Sequence, residues 1–83
     1  MELNELQLSV DKWIKEYGVR YFDEKTNTLL LMEEVGEFAR LVSRAYGEQS
    51  FKNNEEPGDI REALADDWAD IFFVMTCLAN QTG

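Results

Sequence analysis

The chain is 83 residues long with 17 acidic and 8 basic side chains, so it forms at most one domain, with a marginal core and a net charge of −9. That acidity excludes a nucleic-acid backbone as the main partner, because binding would add repulsion where a basic protein would release counterions. With 45% apolar and 12% aromatic residues it is too hydrophobic for disorder, and no apolar run approaches the roughly 20 residues that span a bilayer.

The acidic start, Met1-Glu2-Leu3-Asn4-Glu5, lacks the basic-then-apolar order of a signal peptide. Cys77 is the single cysteine and there is no histidine, which excludes an intrachain disulfide and makes four-ligand zinc a poor fit. The lone thiol points to a cytoplasmic protein. A fold this small is then expected to gain stability from a partner subunit, as a homodimer or homotetramer.

Leu3, Leu6, Val10, Trp13, Ile14 and Tyr17 recur at three- and four-residue steps and predict a first helix at about 5–17. Asn4 is its expected cap, with Gln7 reaching back and Leu3 stapled to Leu8. Gly18 is its expected left-handed stop. A connector from Val19 to Thr28 carries Tyr21 and Phe22. The second helix begins between Glu24 and Leu29, with Asp23, Thr26 and Thr28 all plausible caps, and runs through Leu31, Val35, Phe38 and Val42 to Tyr46, where Gly47 ends it. Residues 48–58 are polar and turn-rich and read as a loop. Asp59 followed by Glu62 forms a capping box. Ile60, Leu64, Trp68, Ile71, Phe72, Met75 and Leu78 then give a third amphipathic helix to about Asn80. The fold class is all-α: three amphipathic helices in a bundle completed by oligomerisation, with short connections favouring antiparallel neighbours.

Carboxylates interrupt two of the apolar stripes. Leu30, Glu34, Glu37 and Leu41 share one stripe of the second helix, and Ala63, Asp67, Asp70, Val74 and Cys77 share one of the third. If the stripes face each other, four carboxylates converge in a partly buried place, where they cannot all stay ionised without protons, basic partners or a cation. An all-oxygen donor set suits Mg²⁺, or Mn²⁺, which takes phosphate oxygens as further ligands. The plainer reading, two solvated acidic faces, stays open at this point.

Two segments resemble the paired signature of the MazG-type all-α nucleotide pyrophosphohydrolases, E-E-x-x-E on one helix and E-x-x-D on the next. They are Leu31-Met32-Glu33-Glu34-Val35-Gly36-Glu37-Phe38-Ala39-Arg40 and Leu64-Ala65-Asp66-Asp67-Trp68-Ala69-Asp70-Ile71-Phe72-Phe73. The similarity extends from Trp13 to Leu78-Ala79-Asn80. It implies that Glu34, Glu37, Asp67 and Asp70 bind Mg²⁺. It further implies hydrolysis of a nucleoside triphosphate between its α- and β-phosphates, in the removal of unwanted nucleotides. Three features depart from the family pattern. Asp67 stands where a glutamate is usual, and the gap from Glu37 to Asp67 is about one residue long. The chain also stops at Gln81-Thr82-Gly83, where relatives continue into another helix bearing phosphate-binding groups.

Other roles follow from chemistry. Glu33 or Asp66 could orient the attacking water or simply face solvent, and Glu33 is counted with the four carboxylates as catalytic. Arg40, Arg44 and Lys52 are the candidate phosphate ligands, although Arg40 could pair with a nearby acid and Lys52 could be plain surface. Trp13, Tyr21 and Phe22 are candidates for base stacking. Trp68 is expected in the core, as is Cys77. Gly36 reads as a close approach of another helix, with room for a phosphate as the alternative. The rival functions are a non-catalytic metal- or nucleotide-binding dimerisation module on the same scaffold, and an acidic binder of a basic protein.

Overall fold

The computed structural model describes residues 1–18, 20–52 and 55–83. Val19 of the expected connector and Asn53 and Asn54 of the expected loop lie outside the described residues. Three helices, α1 (Leu3–Trp13), α2 (Glu24–Tyr46) and α3 (Ile60–Thr82), carry the fold, and among the described residues there is no strand. A π-helical turn, Ile14–Gly18, extends α1.

The helix ends follow local chemistry, with corrections to the first. Asp23 is the cap of α2 and accepts the Thr26 backbone N–H at 2.7 Å, which settles the choice among three candidates. Asp59 caps α3 in the same way through the Glu62 N–H at 3.1 Å. Asn4 does not cap α1. The helix starts two residues earlier than expected, its cap position is Glu2 without a side-chain cap bond, and among the described residues the Asn4 side-chain Oδ1 accepts only the adjacent Glu5 N–H. Gln7, expected to reach back along its own helix, donates to Asn80 on α3 at 3.2 Å. Leu3 and Leu8 are both exposed. Gly18 is not a left-handed stop, since Gly83 alone among the described glycines has positive φ. At Gly47 an added Cβ would meet the Ser43 carbonyl oxygen at 2.5 Å, so a glycine is needed there for close backbone approach.

α2 and α3 pack along their lengths, and α1 lies on α3. The expectation of neighbours in chain order therefore fails for α1. It crosses to the C-terminal half of α3, where Asn80 also donates to the Gln7 carbonyl at 3.0 Å. The small core is centred on Val10, Ile14 and Cys77, with Leu6 and Tyr21 packed against it.

The body is extended, at 40 × 27 × 20 Å with a radius of gyration of 15.0 Å, against about 12 Å for a compact chain of this length. It exposes 6466 Å², whereas a compact monomer of its mass exposes about 5,100 Å². Trp68, expected in the core, is 57% exposed, and Val35, Tyr46 and Met75 of the predicted apolar faces are exposed as well. The α2–α3 contact is shared with the carboxylate-bearing stripes, so the apolar faces are only partly covered: Leu31, Phe38, Val42, Leu64, Ile71 and Leu78 are half-buried while these four side chains face out.

Candidate functional site

The two interrupted stripes meet. Leu41 and Cys77 are buried, and Leu30, Glu34, Ala63, Asp67 and Val74 are half-buried. α2 and α3 run antiparallel: Leu41 shares a cavity with Ala63 and Asp67, while Leu30 shares another with Val74 and Cys77. Glu34 and Asp67 lie half-buried in the seam between these two ends, and Glu37 and Asp70 are exposed at its edge. The helical i, i+3 spacing aims each pair to one side, and antiparallel packing brings the sides together.

Electrostatics registers the convergence. The Glu34 carboxyl is held above its ordinary value, first by burial and then by the negative charges of Glu37, Asp70, Asp67 and Glu33. Asp67 is also pushed up, by burial first and then by Asp70 and Asp66. The Glu34 Oε2 atom is shielded from solvent and has no hydrogen-bond partner among the described residues. A buried acceptor of this kind carries an uncompensated desolvation cost, and a hard cation would relieve it. The donor set fits such an ion in kind, being all carboxylate oxygen. Among the described residues, however, no three carboxylates already form a coordinating group.

The cavity at the Leu41 end has a volume of about 390 Å³ and is walled by Glu37, Asp67, Arg40 and Arg44, with Phe51, Glu55 and Pro57 from the loop after α2. Arg40 pairs with Glu55 at 2.5 Å, the acidic partner anticipated as one option for it. Arg44 donates from one terminal nitrogen to the Arg40 carbonyl at 3.3 Å, and its Nε is buried without a partner among the described residues. Lys52 is exposed and is not among the residues that wall this cavity.

The cavity at the Leu30 end, about 300 Å³, is mostly apolar. Trp13, Tyr21, Phe22 and Phe73 supply aromatic surface, with Ile14, Val74 and Cys77 behind them and Arg20 and Asn27 as polar members. Trp13 meets Phe73 edge-on, with ring centroids 5.8 Å apart. The three predicted stacking residues thus reach one pocket. Asn27 is buried and donates to Gln81 at 2.7 Å and to the Phe22 carbonyl at 3.4 Å, and Gln81 donates to that same carbonyl at 2.6 Å, which fixes the backbone beneath Phe22.

Glu33 and Asp66 are exposed and make no side-chain hydrogen bond among the described residues. Trp68 stacks on Phe72 outside both cavities, with centroids 5.0 Å apart. Cys77 is buried as expected, and burial raises its thiol. Gly36 is exposed, and among the described residues an added Cβ there would meet nothing within 4 Å, so none of the described helices packs against it. Sequence reasoning missed Glu55, Phe51, Pro57 and Asn27. Asn27 alone left a signal, a polar residue one turn from Leu30 on the carboxylate stripe.

Comparison with known proteins bears on the family and the fold. Residues 22–83 match the sequence profile of the MazG nucleotide pyrophosphohydrolase domain. The chain is 35% identical over 78 residues to the uncharacterized protein YpjD of Bacillus subtilis, covering 94% of this chain and 67% of that one. The crystal structure of Bacillus subtilis YpjD, solved as a candidate pyrophosphatase, superposes with a TM-score of 0.80 at 32% identity, over 99% of this chain and 80% of that one.

Proposed function

The chain belongs to the MazG nucleotide pyrophosphohydrolase family, and on that premise we propose that it is a Mg²⁺-dependent enzyme cleaving nucleoside triphosphates to monophosphate and pyrophosphate. The observation that carries this reading is the unpartnered, buried Oε2 of Glu34, set among Glu37, Asp67 and Asp70 between an arginine-lined cavity and an aromatic one. That layout matches a nucleoside triphosphate end to end: an apolar face for the base, carboxylates at the inner phosphate, guanidinium groups at the outer ones.

Glu34, Glu37, Asp67 and Asp70 would hold Mg²⁺, or Mn²⁺, by rotating their side chains together across the α2–α3 seam. The bound ion would supply charge neutralisation at the phosphoryl oxygens and a lowered pKa for the attacking water. The chain itself does the rest. Trp13, Phe22 and the ring of Tyr21 seat the base and exclude water. Arg44 and Arg40 take the outer phosphates and stabilise the charge that develops on the leaving pyrophosphate. Glu33, exposed beside Glu34, would accept a proton from the incoming water. The water oxygen bonds to the α-phosphorus, the bond to the α–β bridging oxygen breaks, and that oxygen departs with pyrophosphate.

Mg²⁺ at the four carboxylates also explains why two of them tolerate a site that raises them when the ion is absent. The outward apolar faces, and the surface in excess of a compact monomer's, support pairing across a twofold axis as a homodimer, or two such pairs as a tetramer. Light scattering that returns a single monomeric mass would remove this part of the proposal. The helices give no route across a membrane, as none is long and apolar enough among the described residues.

The test is pyrophosphate release from a panel of ribo- and deoxyribonucleoside triphosphates, with and without Mg²⁺, beside a Glu37→Gln control. Release that needs both the ion and Glu37 is the expected result. A folded protein that binds Mg²⁺ and releases no pyrophosphate from any of the panel would instead be the non-catalytic module.

A further inference from the structure

We propose that Glu55 is an internal competitor for the phosphate groups that Arg40 receives, holding that guanidinium in the empty site and taking it back to expel pyrophosphate after cleavage. This rests on reading the arginine-lined cavity as the phosphate end of the site.

The loop between α2 and α3 returns over the cavity that Glu37 and Asp67 help to wall, and it is seated there by Phe51 and Pro57. Between those two anchors, the Glu55 backbone N–H donates to the Lys52 carbonyl at 3.1 Å. Its carboxylate meets Arg40 at 2.5 Å inside the same space. A third acidic group is therefore held in a cavity that already has two, where it occupies a guanidinium and repels an entering anion. A surface ion pair of this kind usually does little. Here its position makes it an obstacle to the substrate.

The pair is also weak enough to exchange. Both side chains are well exposed, at 51% and 40%, so their attraction is screened by water. A pyrophosphate group carries more charge than one carboxylate and can engage the guanidinium through two oxygens at once. It can also engage the guanidinium of Arg44, which lines the same cavity and to which Glu55 makes no ion pair among the described residues. Entry of the outer phosphates thus replaces one carboxylate on Arg40 and adds a contact at Arg44. After cleavage, pyrophosphate is no longer tethered to the base in the aromatic pocket, and Glu55 competes with it on better terms. No covalent step is involved.

The experiment uses the full chain as wild type, Glu55→Gln, Arg40→Gln and the double variant. Binding of inorganic pyrophosphate in the presence of Mg²⁺ is read by titration calorimetry, beside kcat and KM for a triphosphate. Glu55→Gln is expected to bind pyrophosphate about fivefold more tightly, the upper range for an exposed pair. KM should fall by a similar factor without a rise in kcat, and the gain should vanish when Arg40 is also replaced. Unchanged or weaker pyrophosphate binding by Glu55→Gln, a gain that survives in the double variant, or no binding by any variant would each overturn the proposal. Tighter pyrophosphate binding by Glu55→Gln without wild-type turnover would leave the competitor standing and remove the hydrolase reading. Normal turnover with no Glu55 effect would do the reverse.

Discussion

The Tyr21 hydroxyl donates to the Asp11 carboxylate at 2.6 Å and so ties the connector before α2 back onto α1. Asn80 donates to the same hydroxyl at 3.0 Å, which brings the end of α3 into the knot. The Tyr21 phenol is pushed up to about 12, chiefly by burial and then by its bond to Asp11. Replacing it with phenylalanine keeps the ring in the aromatic cavity and deletes both bonds. Tyr21→Phe should cost about 1–2 kcal/mol in urea unfolding. A raised phenol contributes stability that is complete below its ordinary value of 10.0 and lost as pH rises through the folded value. The wild type should therefore lose this advantage over the variant in strong alkali.

Glu34→Gln should separate stability from activity. In the metal-free protein the substitution removes one negative charge from a cluster of four and leaves the shape unchanged. Thermal unfolding without Mg²⁺ at neutral pH should then occur at a higher temperature than in the wild type, while pyrophosphate release is abolished. A lower unfolding temperature would mean that the Glu34 charge is compensated within the chain.

The same cluster dictates a pH dependence. Glu34 and Asp67 are raised, so the native state keeps protons that the unfolded chain has released just above their ordinary values of 4.5 and 3.8. Their contribution to stability is greatest at or below those values and is lost as pH rises through the folded ones. Asp11 is lowered, first by its hydrogen bond with Lys15 and then by that with Tyr21, and Asp23 by the backbone N–H of Thr26. Their contribution is present above 3.8 and is lost as pH falls through the folded values. Metal-free protein should gain thermal stability from neutral pH down to about pH 4 and lose it in stronger acid. Saturating Mg²⁺ should flatten the gain, since the ion replaces the proton.

Gly36→Ala tests whether that position is free. Within the chain nothing meets the new methyl group, and alanine favours the helix by about 0.5–1 kcal/mol. The expected result is a more stable protein with unchanged mass in light scattering. A loss of assembly would place a partner subunit against that glycine.

The sequence revealed most where information is local. Asp59 announces a helix start, and Asp23 was one of three candidates for another, because a cap needs only its own first turn. The carboxylate stripes of α2 and α3 were visible because helical periodicity places Glu34 with Glu37 and Asp67 with Asp70 before any packing is known. What was not visible depends on contacts across the chain. Gln7 and Asn80 are 73 positions apart, and nothing in the first helix announces that its glutamine will serve the third. Glu55 reaches Arg40 only because the loop turns back, a matter of path rather than pattern. Trp68 was misplaced for a different reason: helical spacing says that a face is apolar, but not whether this chain or another covers it.

The exposed apolar faces have a consequence for how the protein behaves in quantity. If part of its core is supplied by a second copy, folding obeys mass action, and the unfolding midpoint rises with protein concentration. Dilution would then unfold the chain as surely as heat. The amount synthesised would set the fraction of chains able to work at all, a threshold in abundance that a self-sufficient monomer would not have.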